Sequence, residues 1–255
     1  GFEPEKIPDG VPFMKFTPPA VTGLGFLAAL TDQQILQYVD SLDEDGDGIS
    51  GVPNYITPPP YFEQKWLHQP VNGKIIGRFG KKAAAIDLLQ QTVSAYNQDM
   101  GVTSTFEPVD PFSQLTTDPE VFDQTIRDVV FYLRTLKAPI PRNEDDIQVL
   151  KGKRIFNEIQ CSSCHIPEWT TPDSDISALS NKTFYPYTDL LLHDMGPGLD
   201  DGATEGSAET YEWRTPPLWG LGLSPNSQGG SFFLMHDGRA RSIKQAIVLH
   251  GGEAE

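Results

Sequence analysis

Three shortages limit what this chain can be. It has two cysteines, Cys161 and Cys164, and no others in 255 residues. That leaves no second pair of thiols at short spacing for a structural zinc site. Its apolar runs are short, Phe26-Leu27-Ala28-Ala29-Leu30 being typical. A helix that spans a bilayer needs about 20 apolar residues, so no membrane span is expected. Cations are scarce: 19 Lys and Arg face 35 Asp and Glu, a formal net charge of −16. This balance argues against nucleic acid and anionic membrane surfaces as partners and suits a small basic protein. Strand signals are weak throughout, and no repeat or low-complexity tract stands out. The chain opens on Gly1 without a visible leader, which reads as a processed or shortened polypeptide.

What is abundant is punctuation. With 22 prolines and 23 glycines, much of the chain should be loop. Residues 1–25 read as a Pro-rich extended arm. Thr31-Asp32-Gln33-Gln34 is a capping box that opens a short helix. Residues 57–80 look irregular. Ile86, Leu89, Val93, Tyr96 and Met100 recur at helical steps, predicting an amphipathic helix over 81–100. Asp118-Pro119 predicts the start of another, with Phe122, Ile126, Val129, Val130, Leu133 and Leu136 inward. The Pro139–Pro141 stretch marks the best boundary, dividing the chain into domains 1–140 and 141–255. A helix over 149–160 follows, then loops from 166 to 240. A second capping box at Ser242-Ile243-Lys244-Gln245 opens a last helix that stops at Gly251-Gly252. These signals give a mainly α fold with long Pro/Gly-rich loops.

The chemistry is concentrated in Cys161-Ser162-Ser163-Cys164-His165. This is C-x-x-C-H, the attachment signature for haem c. Two thiols on one helical turn can reach the two vinyl groups of one haem, and the adjoining His165 can ligate the iron. A thioredoxin-like redox pair would want a βαβ context, which is lacking. One haem c is therefore expected, and with both thiols used no disulfide remains. Haem c is attached outside the bacterial cytoplasmic membrane, so a periplasmic or exported address is expected.

A low-spin haem needs a sixth ligand, and His193, Met195, Met235, His236 and His250 are the candidates. His250 shares the apolar face of the last helix with Ile243, Ala246 and Ile247, which would point it inward. Met195, before Gly196-Pro197-Gly198, is the alternative. Asp43, Asp45 and Asp47 alternate ahead of Gly48, like the opening of an EF-hand calcium loop. Ile49 could add its carbonyl, and Asn54 stands where a bidentate Glu would be expected. Calcium would offset carboxylate repulsion there; a solvated acidic turn is the plainer alternative. Arg214, Arg239 and Arg241 lie in loops around the motif segment and could pair with haem propionates or simply make surface salt bridges.

Longer strings resemble a known family. They are Asp189-Leu-Leu-Leu-His193-Asp-Met195-Gly-Pro-Gly198, Glu212-Trp213-Arg214-Thr-Pro-Pro-Leu-Trp219-Gly, His236-Asp237-Gly238-Arg239-Ala-Arg241 and His250-Gly251-Gly252-Glu253. Upstream, Gly23-Leu-Gly25, Asp45-Gly-Asp47-Gly-Ile-Ser-Gly51, Gly77-Arg-Phe-Gly80 and Asp99-Met-Gly101 fit as well. Together they resemble the di-haem oxidoreductases, also called thiol oxidoreductases, relatives of bacterial di-haem cytochrome c peroxidases. The resemblance implies cytochrome c-like domains. It also implies that the residue fourteen after His236, which is His250, ligates the electron-transfer haem. It further implies a second C-x-x-C-H motif, which this sequence lacks, so that a second haem domain is missing and a fragment or a one-haem variant is expected. A further terminal helix is expected after Glu255. Where the family has Trp after Gly-Arg-Phe-Gly, this chain has Lys81. The functions this leaves are a peroxidase-like oxidoreductase completed by a second haem, a mono-haem electron carrier, or a calcium-stabilised module with a structural haem.

Overall fold

The computed structural model describes residues 13–255; the first twelve residues of the expected arm lie outside them. Eight short α-helices occur among the described residues. In chain order they are α1 (Leu24–Ala29), α2 (Asp32–Leu36), α3 (Leu88–Ser94), α4 (Asp123–Thr135), α5 (Ile147–Glu158), α6 (Cys161–Cys164), α7 (Ser224–Ser227) and α8 (Ile243–Val248). Six strands of two or three residues pair antiparallel, two by two. They are β1 (Tyr55–Ile56) with β2 (Ile75–Ile76), β3 (Trp169–Thr170) with β4 (Thr183–Phe184), and β5 (Leu192–Asp194) with β6 (Glu212–Arg214).

This corrects the expectation of a mainly α, cytochrome c-like fold: the described residues form a mixed, loop-rich structure, 31% helical and 10% strand. One reason lies at 81–100. The helix there begins only at Leu88, where the Asp87 carboxylate accepts from Gln90 N–H, and its last turn widens into a π turn over Ala95–Asp99. Residues before it take another path because Ala85 bridges Phe79 and Ala83 adopts a left-handed φ of 53°. Likewise α4 starts at Asp123 rather than Asp118, since the backbone of Glu120 and Val121 is tied to the Thr103 carbonyl. Where local chemistry decides, the expectation holds. The Thr31–Gln34 capping box forms reciprocally, and α5 is capped by Asp146 and ends just before the motif.

The main core gathers Leu27, Leu30, Ile35, Ile76, Phe79 and Leu88 with Trp169, Phe184, Leu190 and Leu191. Beside it lies a buried ionic knot. Arg78 donates to the Leu30 carbonyl at 2.7 Å and pairs with Asp32, which also accepts from Gln69 N–H and contacts His68. The Gly77-Arg-Phe-Gly80 string thus serves packing. In α4, Ile126 is fully buried and Val129, Val130, Leu133 and Leu136 are half-buried, whereas Phe122 is 84% exposed. No helix among the described residues is long and apolar enough to cross a membrane.

Helices α1 and α4 cross closely because position 25 has no side chain. A Cβ on Gly25 would stand 2.0 Å from the Arg134 carbonyl oxygen. Gly25→Ala is expected to cost about 1–3 kcal/mol by overpacking, read as a lower urea midpoint with an unchanged slope.

Candidate functional site

The site is assembled from α5, α6, the segment 187–194 and the tail beyond α8. Gln160, in a left-handed conformation with φ 60°, breaks the chain between α5 and α6. The break lets Cys161 and Cys164 share the single turn of α6. Both thiols are free and half-buried, and burial pushes the Cys161 thiol pKa up.

His165 follows directly. Its Nδ1 lies 2.9 Å from the Tyr187 carbonyl oxygen. A carbonyl can only accept, so Nδ1 carries the proton and Nε2 is left for another partner. Burial lowers the His165 pKa, against the pull of the Tyr187 bond, which keeps the ring neutral as a metal ligand requires. Phe156 of α5 stands edge-on to Tyr187 at 5.6 Å and 6.3 Å from the His165 ring. The receiving segment is held in unusual backbone: Tyr187 and Leu190 have φ of 58° and 67°. Such conformations persist only where surroundings enforce them. Here Thr188 N–H donates to Ile166, and Trp169 Nε1 donates to the Thr188 carbonyl.

The candidate sixth-ligand residues fall into different environments. His250 lies just beyond α8, half-buried, with Nδ1 2.7 Å from the Ala246 carbonyl. By the same logic its Nε2 is left free. It is near enough for its charge to disfavour protonation of His165. The apolar residues expected to bury this face are open instead: Ile243 and Ile247 are 42% and 60% exposed. His193 is fully engaged, Nε2 2.7 Å from Asp189 and Nδ1 3.1 Å from Glu253 and 3.5 Å from Cys164 Sγ. His236 stacks on Trp213 at 3.7 Å and 3°. Met195 is half-buried, its N–H donating to the Tyr211 carbonyl, and Met235 has a left-handed φ of 68°.

Burial opposes a charge on His193, but hydrogen bonds to Asp189, Cys164 and Glu253 outweigh it and push its pKa to about 12. Glu253 also accepts from Ser50 N–H, Ser50 Oγ–H and Asp194 N–H. Its carboxyl pKa falls, because these bonds overcome desolvation. Sequence reasoning missed Glu253 and the Asp189–His193 pair. The signal was there in Gly251-Gly252: a Cβ on Gly252 would meet the Asp194 carbonyl at 2.2 Å, so only glycine brings the tail in.

The three arginines make contacts within the protein. Half-buried Arg214 donates from Nε to the Gly80 carbonyl and from Nη1 to the Thr215 carbonyl. Arg239 pairs with Asp237 and the Gly198 carbonyl, and Arg241 lies 4.0 Å over the Phe233 ring. Lys81 donates to Thr17 Oγ at 2.8 Å; burial, then the Arg214 charge, lowers its pKa to about 8 despite Asp237.

In the acidic loop, Asp43, Asp45 and Asp47 carboxylates accept from Gly48, Asp47 and Ile49 N–H. Oxygens of Asp40, Asp43 and Asp45 come within 4.8 Å of one another. Asn54 is elsewhere, buried and bonded to the Lys82 and Glu205 carbonyls and to Ser207. A cleft of about 450 Å³ runs from Asp40, Asp45 and Asp47 to Ser163, Asp189 and His193. A second, about 390 Å³, lies beside α5 between Leu150, Lys153, Phe156 and Tyr187.

One family model, described as "Di-haem oxidoreductase, putative peroxidase", matches residues 13–255. No curated protein and no solved structure matches the chain.

The charged His193 gives a stability that depends on pH. Its folded pKa is raised, so the stabilisation is complete below the unfolded value of about 6.5 and fades as pH climbs toward about 12. His193→Gln should therefore lie furthest below wild type in urea midpoint at about pH 6, with the gap narrowing steadily toward about pH 10. A gap that is constant with pH would contradict this.

Proposed function

The chain belongs to the di-haem oxidoreductase family, and from that premise we propose that Cys161 and Cys164 would carry a haem c whose iron His165 and His250 would ligate. The observation that carries this reading is the matched state of two imidazoles. His165 and His250 each spend Nδ1 on a backbone carbonyl, Tyr187 and Ala246, and each keeps Nε2 unengaged. Second-sphere bonds of this kind orient metal-bound histidines. His193 offers no free nitrogen, and His236 is stacked on Trp213. The fit extends to packing: the thiols share one turn, and α5, which contacts that turn, leaves Val149, Leu150 and Ile155 exposed.

The haem supplies one-electron exchange when bound. The chain's own residues position it. Tyr187 and Ala246 fix the two imidazoles, Phe156 flanks His165, and the Asp189–His193–Glu253 cluster anchors the strand beneath Cys164. The role is peroxidase-like oxidoreduction, with a small basic redox protein as partner and a periplasmic or exported address. A second reading is an electron carrier, favoured by two imidazoles that each keep Nε2 for iron and would leave no open coordination position for peroxide. The acidic loop is proposed as a calcium site built on Asp40, Asp43 and Asp45, where close carboxylates repel unless a cation joins them.

Three measurements test this. Pyridine haemochrome and intact mass are expected to give covalent haem that Cys161→Ser plus Cys164→Ser abolishes. His250→Gly should convert a low-spin absorption spectrum to high-spin while Met195→Leu leaves it unchanged; the reverse result would transfer the ligand role to Met195. Reaction of the reduced protein with peroxide supports the oxidoreductase, and inertness supports the carrier. For the loop, saturating calcium should raise the thermal midpoint of wild type, worth about 2.7 kcal/mol at a hundredfold excess over Kd, and leave Asp43→Asn unmoved.

A further inference from the structure

Away from the haem motif, Lys82 is completely buried, at 0% exposure, on a chain with few cations. Its ammonium donates to the carbonyl oxygens of Glu209, Thr210 and Glu212 at 2.9, 2.9 and 3.0 Å. Those three bonds use all three of its protons. Two further partners remain. Asp201 Oδ1 stands 3.4 Å away, and the Trp213 ring face lies 4.0 Å from the nitrogen. The second Asp201 oxygen, Oδ2, is buried without a hydrogen-bond partner. Glu205 and Glu212, whose carboxyl pKa values burial raises, add further negative potential around Lys82.

A group with three directed protons therefore sits among five electron-rich neighbours on all sides. That environment suits a sphere of positive charge better than a directional donor. The cage is sized by the Lys82 ammonium, so it suits a free cation of similar size. Calcium holds oxygens at about 2.3–2.6 Å and magnesium at about 2.0–2.1 Å, closer than any here. Larger monovalent ions make longer contacts, and an aromatic face is a favourable neighbour for them.

We propose that the loop over residues 201–213 is an internal monovalent-cation site, filled in the native protein by the Lys82 ammonium and open to potassium or ammonium ions once that side chain is removed. Lys82 is then a tethered counter-ion. It joins the 77–85 segment to β6 and fixes Trp213 in its stack on His236. The native protein has no need of a dissolved ion at this place, so its stability is indifferent to which monovalent salt is present.

The test compares the full chain with Lys82→Ala and Lys82→Met in potassium, ammonium and tetramethylammonium chloride at equal ionic strength. Lys82→Ala should unfold at a lower temperature in tetramethylammonium, which is too large for the cage, and regain at least half of the loss in potassium or ammonium. Titrating potassium into Lys82→Ala should change tryptophan emission saturably, because Trp213 walls the cage. Wild type and Lys82→Met, whose side chain fills the space, should behave alike in all three salts. If Lys82→Ala does not fold in tetramethylammonium, its soluble refolding yield is compared across the same salts. Equal midpoints, equal gains in wild type, or no yield in any salt would overturn the proposal.

Discussion

The site depends on one buried charge, the His193 imidazolium clasped between Asp189 and Glu253. Three ionisable groups removed from water are costly unless every one is paired and hydrogen-bonded. Here the pairing is complete. Asp189 takes Nε2 and gives its other oxygen to Leu191 N–H, while Glu253 takes Nδ1 and three donors from Ser50 and Asp194. Losing any member would strand the others. The cluster therefore joins three distant stretches of chain, the 50-loop, β5 and the tail, directly under Cys164. A fold with so little regular structure needs such a clasp, because short strands and one-turn helices cannot hold a tail in place alone.

The two free imidazoles depend on that clasp. His165 is aimed by the Tyr187 carbonyl, on backbone held at positive φ just ahead of the buried run from Thr188 to His193. His250 immediately precedes Gly251-Gly252-Glu253, so the contact that anchors Glu253 also sets where His250 stands. The charged histidine and the neutral ones divide the work: one fixes the frame, and the others keep a nitrogen unengaged. Lys82 repeats the first role elsewhere, with carbonyls and an indole face in place of carboxylates.

Legibility from sequence followed the range of the interactions. The Thr31 capping box and the shared turn of Cys161 and Cys164 are set by neighbours within four residues, and both formed as expected; the Asp146 cap, which starts α5 at Ile147 rather than Val149, is equally local but was not anticipated. The helix expected over 81–100 starts late because Lys82 is drawn to the carbonyls of residues 209–212 and Ala85 pairs back onto Phe79. The mainly α, cytochrome c-like expectation was overturned because two-residue strands carry too little alternation to be seen among prolines and glycines. Asn54 fitted the spacing of a calcium loop, yet its amide serves a loop about 150 residues away.

By itself the sequence determined the chemistry available: two thiols and an imidazole on adjoining positions, an acidic loop, and the strings that mark the family. Spacing along the chain suffices for these, since covalent geometry fixes where near neighbours point. Only the tertiary structure decided which imidazoles keep a free nitrogen and which is locked as a cation. That choice rests on partners 22 residues from His165 and 60 from His193. No local rule reaches that far, because burial and long-range hydrogen bonding settle it together.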